Sequence, residues 1–501
     1  MRRRALLTSL AVGATGLAGC AASTSNDDTT TRSRTNRTTE PTTDETETEG
    51  SNEEPPQPEE RASVVELETG PRTYAFSSTK MHTDDRARTA LWFDRTATAD
   101  HPARLRGWFE NANEFENTFR IEWIPVVGRT SSRNPEGYAH EARLHFAPTE
   151  NNALAEMVPE VVRNDDGYWR VTDVGPWMAE TVRMDPGERV DLEYVLVGEP
   201  GMPGRPTGTY EFRGGDQTAS VAVWDTNSPG PEDESRFAGR SVPAFDSDRT
   251  VQWYHDADRT TPAFVRPSTE QLELDGVIDF EMVNHSHEIL GCGHWNLHKL
   301  VDGTWYHVAP TGHNADCHQL TPGGTEHWSL RAFNDESVPC GHGDHGHDSL
   351  TQGFLGDGEY AVVVGYGSPS DASAALFELV GESVTLAPTD GANVERDGST
   401  VTVTTDRYGD DEHPPDATFT LTRIDAAEKR VIAEQVMNSG RFGSGGRGLR
   451  NTLAVVKPNV DRVVLRTDEY AFHHDLREVG ATSRFTFRGQ AYEVTRVEGD
   501  E

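Results

Sequence analysis

Gly167-Tyr168-Trp169, Pro186-Gly187-Glu188 and Gly208-Thr209-Tyr210 are answered further along the chain by Gly303-Thr304-Trp305, Pro322-Gly323-Gly324 and Gly358-Glu359-Tyr360. In both copies 17 residues separate the tryptophan from the proline, which marks an internal repeat. Each unit reads as a tryptophan on an inner strand face, a Pro-Gly turn that launches the next strand, and a Gly-x-Tyr that opens a late one. Val190-Asp191-Leu192-Glu193-Tyr194-Val195-Leu196 follows the first Pro-Gly, and His327-Trp328-Ser329-Leu330 follows the second. Both have strand character. Elsewhere short alternating apolar runs are broken by Gly, Pro, Asn and Asp, and long helical periodicity is scarce, so the predicted fold class is mainly β.

The second copy carries Asp302-Gly303-Thr304-Trp305 in full. A D-G-x-W turn, a P-G turn and a G-x-Y strand in this order resemble the bacterial immunoglobulin-like domains of exported lipoproteins. The resemblance covers residues 85–226 and 268–381. It implies two tandem immunoglobulin-like β-sandwiches, with Trp169 and Trp305 at equivalent core positions. That fold hosts adhesion, inhibition and ligand binding alike, so it specifies no reaction.

The 501 residues suffice for about three domains at roughly 100–200 residues each. The formal net charge is −37, which argues against nucleic acid as a partner. Only Lys80, Lys299, Lys429 and Lys457 are lysine, the other basic residues being arginine. This acidic, arginine-biased composition resembles that of salt-loving archaea, where hydrated carboxylates keep proteins soluble.

At the start of the chain, Arg2, Arg3 and Arg4 precede an apolar run to Gly19 that is too short for a membrane-spanning helix. Arg3 and Arg4 with the residues after them resemble a twin-arginine export signal, and Leu17-Ala18-Gly19-Cys20 resembles a lipobox. The resemblance implies that Cys20 carries a lipid at the extracellular face of the cell membrane. Ser, Thr, Asp, Glu and Pro dominate from there to residue 62, the composition of a disordered tether. The expected organisation is a signal peptide (1–19), a tether (20–62), a first sandwich with an N-terminal extension (63–226), a linker (227–267), a second sandwich (268–381) and a C-terminal β-rich module with one helix (382–501). In that last module Asp425 and Glu428 predict a helix to Met437, with strands at 401–403, 419–421, 453–456, 463–466 and 485–494. Asn36 and Asn284 open N-glycosylation sequons.

From the Pro-Gly to the Gly-x-Tyr the second copy is 14 residues longer than the first, an insertion between Asn334 and Asp357. It contains Cys340, His342, His345 and His347. Eleven of the 19 histidines, and every cysteine but Cys20, lie between His285 and His347. Thiolates and imidazoles ligate copper and zinc, and Cys292, His294, His313, Cys317 and His318 are further candidate donors. The spacing matches no standard zinc module. An exported chain also meets oxidising conditions, so two of Cys292, Cys317 and Cys340 are candidates for a disulfide. A polar histidine-rich surface is the third reading.

For catalysis the sequence offers no G-x-S-x-G and no H-E-x-x-H, and Gly443 to Gly448 matches G-x-G-x-x-G in the wrong context for a dinucleotide site. The function expected first is therefore a lipid-anchored surface protein that binds an extracellular or cell-surface protein or glycan. A copper- or zinc-handling protein is the alternative, and an enzyme with its site at a domain junction is the third.

Overall fold

The computed structural model describes residues 62–497, except 67–72, 78–79, 139–141, 203, 227, 246–248, 292, 311, 314–317, 337–348, 368–369, 411–414, 439–446, 473–475 and 477. It is mainly β, and among these residues no helix is long and apolar enough to cross a membrane.

Alternation builds the first sandwich. In the strand Ala103–Asn111 every second residue is buried, which sends Leu105 and Phe109 inward. This strand and Arg189–Gly198 lie at the centre of a seven-stranded sheet. A four-stranded sheet made of Val64–Glu66, Thr73–Phe76, Gln217–Trp224 and Gly208–Gly214 contributes to the same core. Phe76 meets Phe146 edge-on at 5.7 Å, and Phe212 tilts against Phe146 at 4.9 Å. Burying each such ring contributes about 1.5–3 kcal/mol.

The second sandwich packs the sheet Ala263–Pro267, Gly276–Asn284, Thr325–Ala332, Ser349–Gln352 against one ordered Val251–Trp253, Ala372–Val380, Gly358–Val364, Trp295–Val301, Thr304–Ala309. Phe280 and Phe377 meet edge-on across its core at 5.4 Å. Two expectations change here. Residues 227–267 are no linker, because Val251–Trp253 and Ala263–Pro267 pair into the two sheets and Phe237, Val242 and Phe245 cover the outer face. Part of the insertion is a strand as well: Ser349–Gln352 runs parallel to Thr325–Ala332.

The two copies share their corners. Asn111 and Asn284 each end a strand, are fully buried, and donate from Nδ2 to the loop before the Pro-Gly turn, at Met184 O (3.1 Å) and Leu320 O (2.9 Å) respectively. Gly187 N and Gly323 N donate back to the carbonyls of these asparagines at 2.9 and 2.7 Å. The Gly-x-Tyr corners match too. Gly208 and Gly358 have φ of 127° and 129°, a region that side chains rarely enter. Tyr210 and Tyr360 hydroxyls donate to the carbonyls four residues earlier, Pro206 O and Gly356 O.

The tryptophans do not match. The strand Trp169–Val171 joins the sheet of the Pro-Gly strand, whereas Thr304–Ala309 joins the sheet of the Gly-x-Tyr strand through Trp295–Val301. Neither indole is in the main core. Each is half-buried in a small outer-face cluster and donates its N–H to a backbone carbonyl, Thr98 O and Pro243 O.

The C-terminal part is one six-stranded sheet, ordered Asn393–Asp397, Thr400–Thr404, Arg462–Asp468, Asp416–Ile424, Gln490–Val497, Thr482–Phe487. Two short helices, α1 (Ala433–Asn438) and α2 (Arg447–Leu453), contribute Val436 and Leu453 to its core. The helix expected from Asp425 starts later because the backbone there is engaged by the sheet edge: Thr486 N donates to Lys429 O and Val431 N to Thr486 O. The expected strand at 453–456 is the end of α2 and the turn after it, and 485–494 is a hairpin. Around α1, Ile432 packs in the core of the second sandwich while Val431 and Val436 pack in the C-terminal core. Glu434 accepts a hydrogen bond from Lys299 Nζ of the second sandwich.

Candidate functional site

The Cys/His constellation is described only in part. Cys20, Arg3, Arg4, Asn36, Cys292, Cys317, Cys340, His342, His345 and His347 lie outside the described residues. His294 and His313 come together, their rings stacked at 4.7 Å. His318 is a half-exposed side chain whose Nδ1 lies 3.8 Å from Glu326 Oε1. Among the described residues no three donors converge as metal ligands. Asn284 corrects the sequon expectation. Its Nδ2, the atom that would carry a glycan, is buried and already donates to Glu288 O at 2.8 Å and Leu320 O at 2.9 Å.

Two histidines that sequence reading passed over join His294 and His313. The outer face of Trp295–Val301 presents residues at every second position, so His294, Asn296 and His298 form a row. His307 lies directly across from His298 on the neighbouring strand, with ring centroids 5.3 Å apart. Burial, aided by the neighbouring His307, pushes His298 down to about 4, so its ring is neutral at neutral pH. The period-two pattern His294-x-Asn296-x-His298 was the signal available in the sequence.

A different feature lies on the first sandwich. A cleft of about 690 Å³ is bounded by 128–134, by 175–180 and by the outer side of Gly208–Gly214. The turn beneath it is tightly fixed. The Tyr194 hydroxyl, fully buried, donates to Val127 O at 2.8 Å, and Val126 is held at φ 67°, a strained value for a β-branched residue. Arg129, Arg133, Arg143 and Arg213 line the cleft together with Glu122, Glu180 and Glu211. Arg213 pairs with Glu211. Glu122 is engaged by Arg120, whose hydrogen bond holds its carboxyl below the usual range. Arg129 also acts on Glu122, helping to hold its carboxyl down, whereas no described residue forms an ion pair with the exposed guanidiniums of Arg133 and Arg143.

Trp177 and Ser131 also line the cleft. Behind them is His145, fully buried, its Nδ1 2.9 Å from Ser131 Oγ and its ring edge-on to Trp177 at 5.6 Å. Desolvation, followed by Arg143 and Arg205, pushes this imidazole down to about 4. Its Nε2 is buried without a described partner. A serine–histidine nucleophile needs a third group to orient the base, and that position is empty among the described residues.

No protein-family model matches the chain, and no curated protein matches it. Solved structures that match include a mutant β-glucosidase from Listeria innocua in complex with laminaribiose, at 13% identity and a TM-score of 0.15, over 25% of this chain and 16% of that one. A polysaccharide lyase matches at 11% identity and a TM-score of 0.14, over 63% of this chain and 36% of that one. The chain therefore spans well under two thirds of either structure, and likeness at this level identifies no family.

Proposed function

We propose that this protein is a lipid-anchored extracellular binding protein of a salt-adapted cell, built on two immunoglobulin-like sandwiches, and that its cleft holds an acidic glycan. The observation that carries the reading is the pair Arg133 and Arg143, with Arg129 beside them. In a chain with 83 acidic residues against 46 basic ones, an arginine finds an internal carboxylate easily, so two without a described ion-pair partner around one cleft suit a carboxylate brought by a ligand. Guanidinium forks read carboxylates bidentately. That geometry matters in concentrated salt, where unspecific attraction is screened within a few ångströms. The hydroxyl, amide and indole groups beside them suit sugar hydroxyls and ring faces. The anchor is supported by the Arg3-Arg4 pair and the lipobox ending at Cys20.

The test is equilibrium binding of the purified protein, in concentrated KCl, to oligoglucuronate and to neutral dextran of equal length. Oligoglucuronate is expected to bind and dextran not to. Arg133→Glu with Arg143→Glu is expected to abolish binding without unfolding the protein, since both side chains are exposed. Equal binding of both sugars, or binding unchanged by the double substitution, would refute the cleft reading. Fractionation of cells expressing Cys20→Ser is expected to show the protein released or unprocessed; membrane attachment as in the native form would refute the anchor.

A further inference from the structure

The short turn Ile121–Trp123 borders the arginine-lined cleft. Ile121 is buried in the core of the first sandwich, whereas Trp123, two residues on, is 54% exposed. The turn touches both walls. Glu122 lines the cleft, and its backbone N–H donates to Glu180 O at 3.4 Å on the wall formed by 175–180. On the other side the Trp123 carbonyl lies so close to Gly214 that a Cβ there would stand 2.0 Å from the oxygen, an approach that only glycine admits. Gly214 follows Arg213, another lining residue. The exposed indole therefore stands at the rim of the cleft.

Single exposed aromatic side chains are ordinary on protein surfaces. Trp123 differs in being held. Its Nε1 donates to Glu122 Oε1 at 2.7 Å, the Arg120 guanidinium sits 5.1 Å over its ring, and Arg120 donates to that same Glu122 oxygen at 2.6 Å. A ring with a cation over one face that is still half-exposed presents its other face to solvent. These contacts fix the indole before any ligand arrives, so little rotamer freedom is left to lose on binding. They also occupy the Glu122 carboxylate, which would otherwise repel an anion in the cleft.

Resting on the reading of the cleft as an acidic-glycan site, we propose that the Trp123 indole is a second subsite beside it, a platform on which one pyranose of an acidic polysaccharide stacks its C–H face while the carboxylates of neighbouring sugars meet Arg133 and Arg143. The ligand is then an extended chain, not a single acidic sugar. The negative face of the indole attracts polarised C–H bonds, and this short-range contact persists in concentrated salt, where charge attraction is screened.

Equilibrium binding of the full chain, in concentrated KCl, to the disaccharide and the hexasaccharide of glucuronate tests this, with the native protein, Trp123→Ala, Trp123→Gln and Trp123→Phe. The native protein is expected to bind the hexasaccharide more tightly. Trp123→Ala and Trp123→Gln are expected to weaken hexasaccharide binding on the order of tenfold and to leave disaccharide binding as it was, since the shorter sugar is held by the arginines alone. Trp123→Phe, which keeps a ring face, is expected to retain most of the affinity. Hexasaccharide binding unchanged in Trp123→Ala and Trp123→Gln, with Arg133→Glu and Arg143→Glu together still abolishing it, would overturn the platform and leave the cleft reading standing. Equal weakening at both lengths would assign Trp123 a merely structural role and overturn the platform as well. Binding of neither sugar by the native protein would overturn both readings.

Discussion

Asn111 and Asn284 perform the same task in the two sandwiches, each satisfying interior carbonyls of a loop that would otherwise be buried without a donor. Replacing either by alanine leaves those carbonyls unpaired, a loss of about 2–3 kcal/mol. Denaturant unfolding of Asn111→Ala and Asn284→Ala checks this; a change within error for both would show that water replaces the amide. The mass of the protein from its own host is expected to carry no glycan at Asn284.

Two buried histidines set a pH dependence. His145 is pushed down to about 4 by burial and then by Arg143 and Arg205. His285 is pushed to about 4 by burial, opposed by the Pro229 carbonyl and Glu281 and aided by Arg266. Unfolded, each would take up a proton near the ordinary value of 6.5. The unfolded chain therefore binds more protons between these limits. Stability is full above about pH 6.5, falls as the pH drops toward 4, and levels below it, by on the order of 2–3 kcal/mol per histidine. Unfolding curves near pH 7 and near pH 5 are expected to differ accordingly, with His145→Gln reducing the difference.

At the scale of elements, what was legible in the sequence was what is local. A Pro-Gly turn and a Gly-x-Tyr corner depend on backbone angles within a few residues, and both copies formed as read. The Trp-to-Pro spacing counted residues correctly but could not say which strand the tryptophan would pair with. Pairing is decided outside the motif: the tryptophan strand meets the later Arg189–Gly198 in one copy and folds back on the preceding Trp295–Val301 as a hairpin in the other. The helix expected from Asp425 lost to a partner remote in sequence, the Thr482–Phe487 edge strand. In the candidate sites, His294 and His313 were legible as donors. His298 and His307 were missed because a strand spreads one face over alternate residues and a neighbouring strand. The arginine cleft was not legible at all. Arg129 and Arg133 share one segment while Arg143 and Arg213 come from two others, and each alone is an ordinary basic residue.

For the molecule as a whole, the second sandwich and the C-terminal sheet are joined by polar and apolar contacts around α1. Lys299 and Glu434 form an ion pair in which both side chains are nearly buried, and Lys299 also donates to Asp357 O at 2.7 Å. Lys299→Ala strands the Glu434 carboxylate and is expected to cost about 3–5 kcal/mol. Lys299→Met combined with Glu434→Gln should recover much of that loss. Thermal unfolding of the single and double variants decides the matter, and additive effects would refute the coupling.

Because the residues flanking and forming α1 belong to two cores at once, the C-terminal sheet cannot be peeled away without opening the sandwich beside it. Drawn out between its ends in a laser trap, the chain is expected to lengthen there in one large step, the two bodies yielding together as a single load-sharing block.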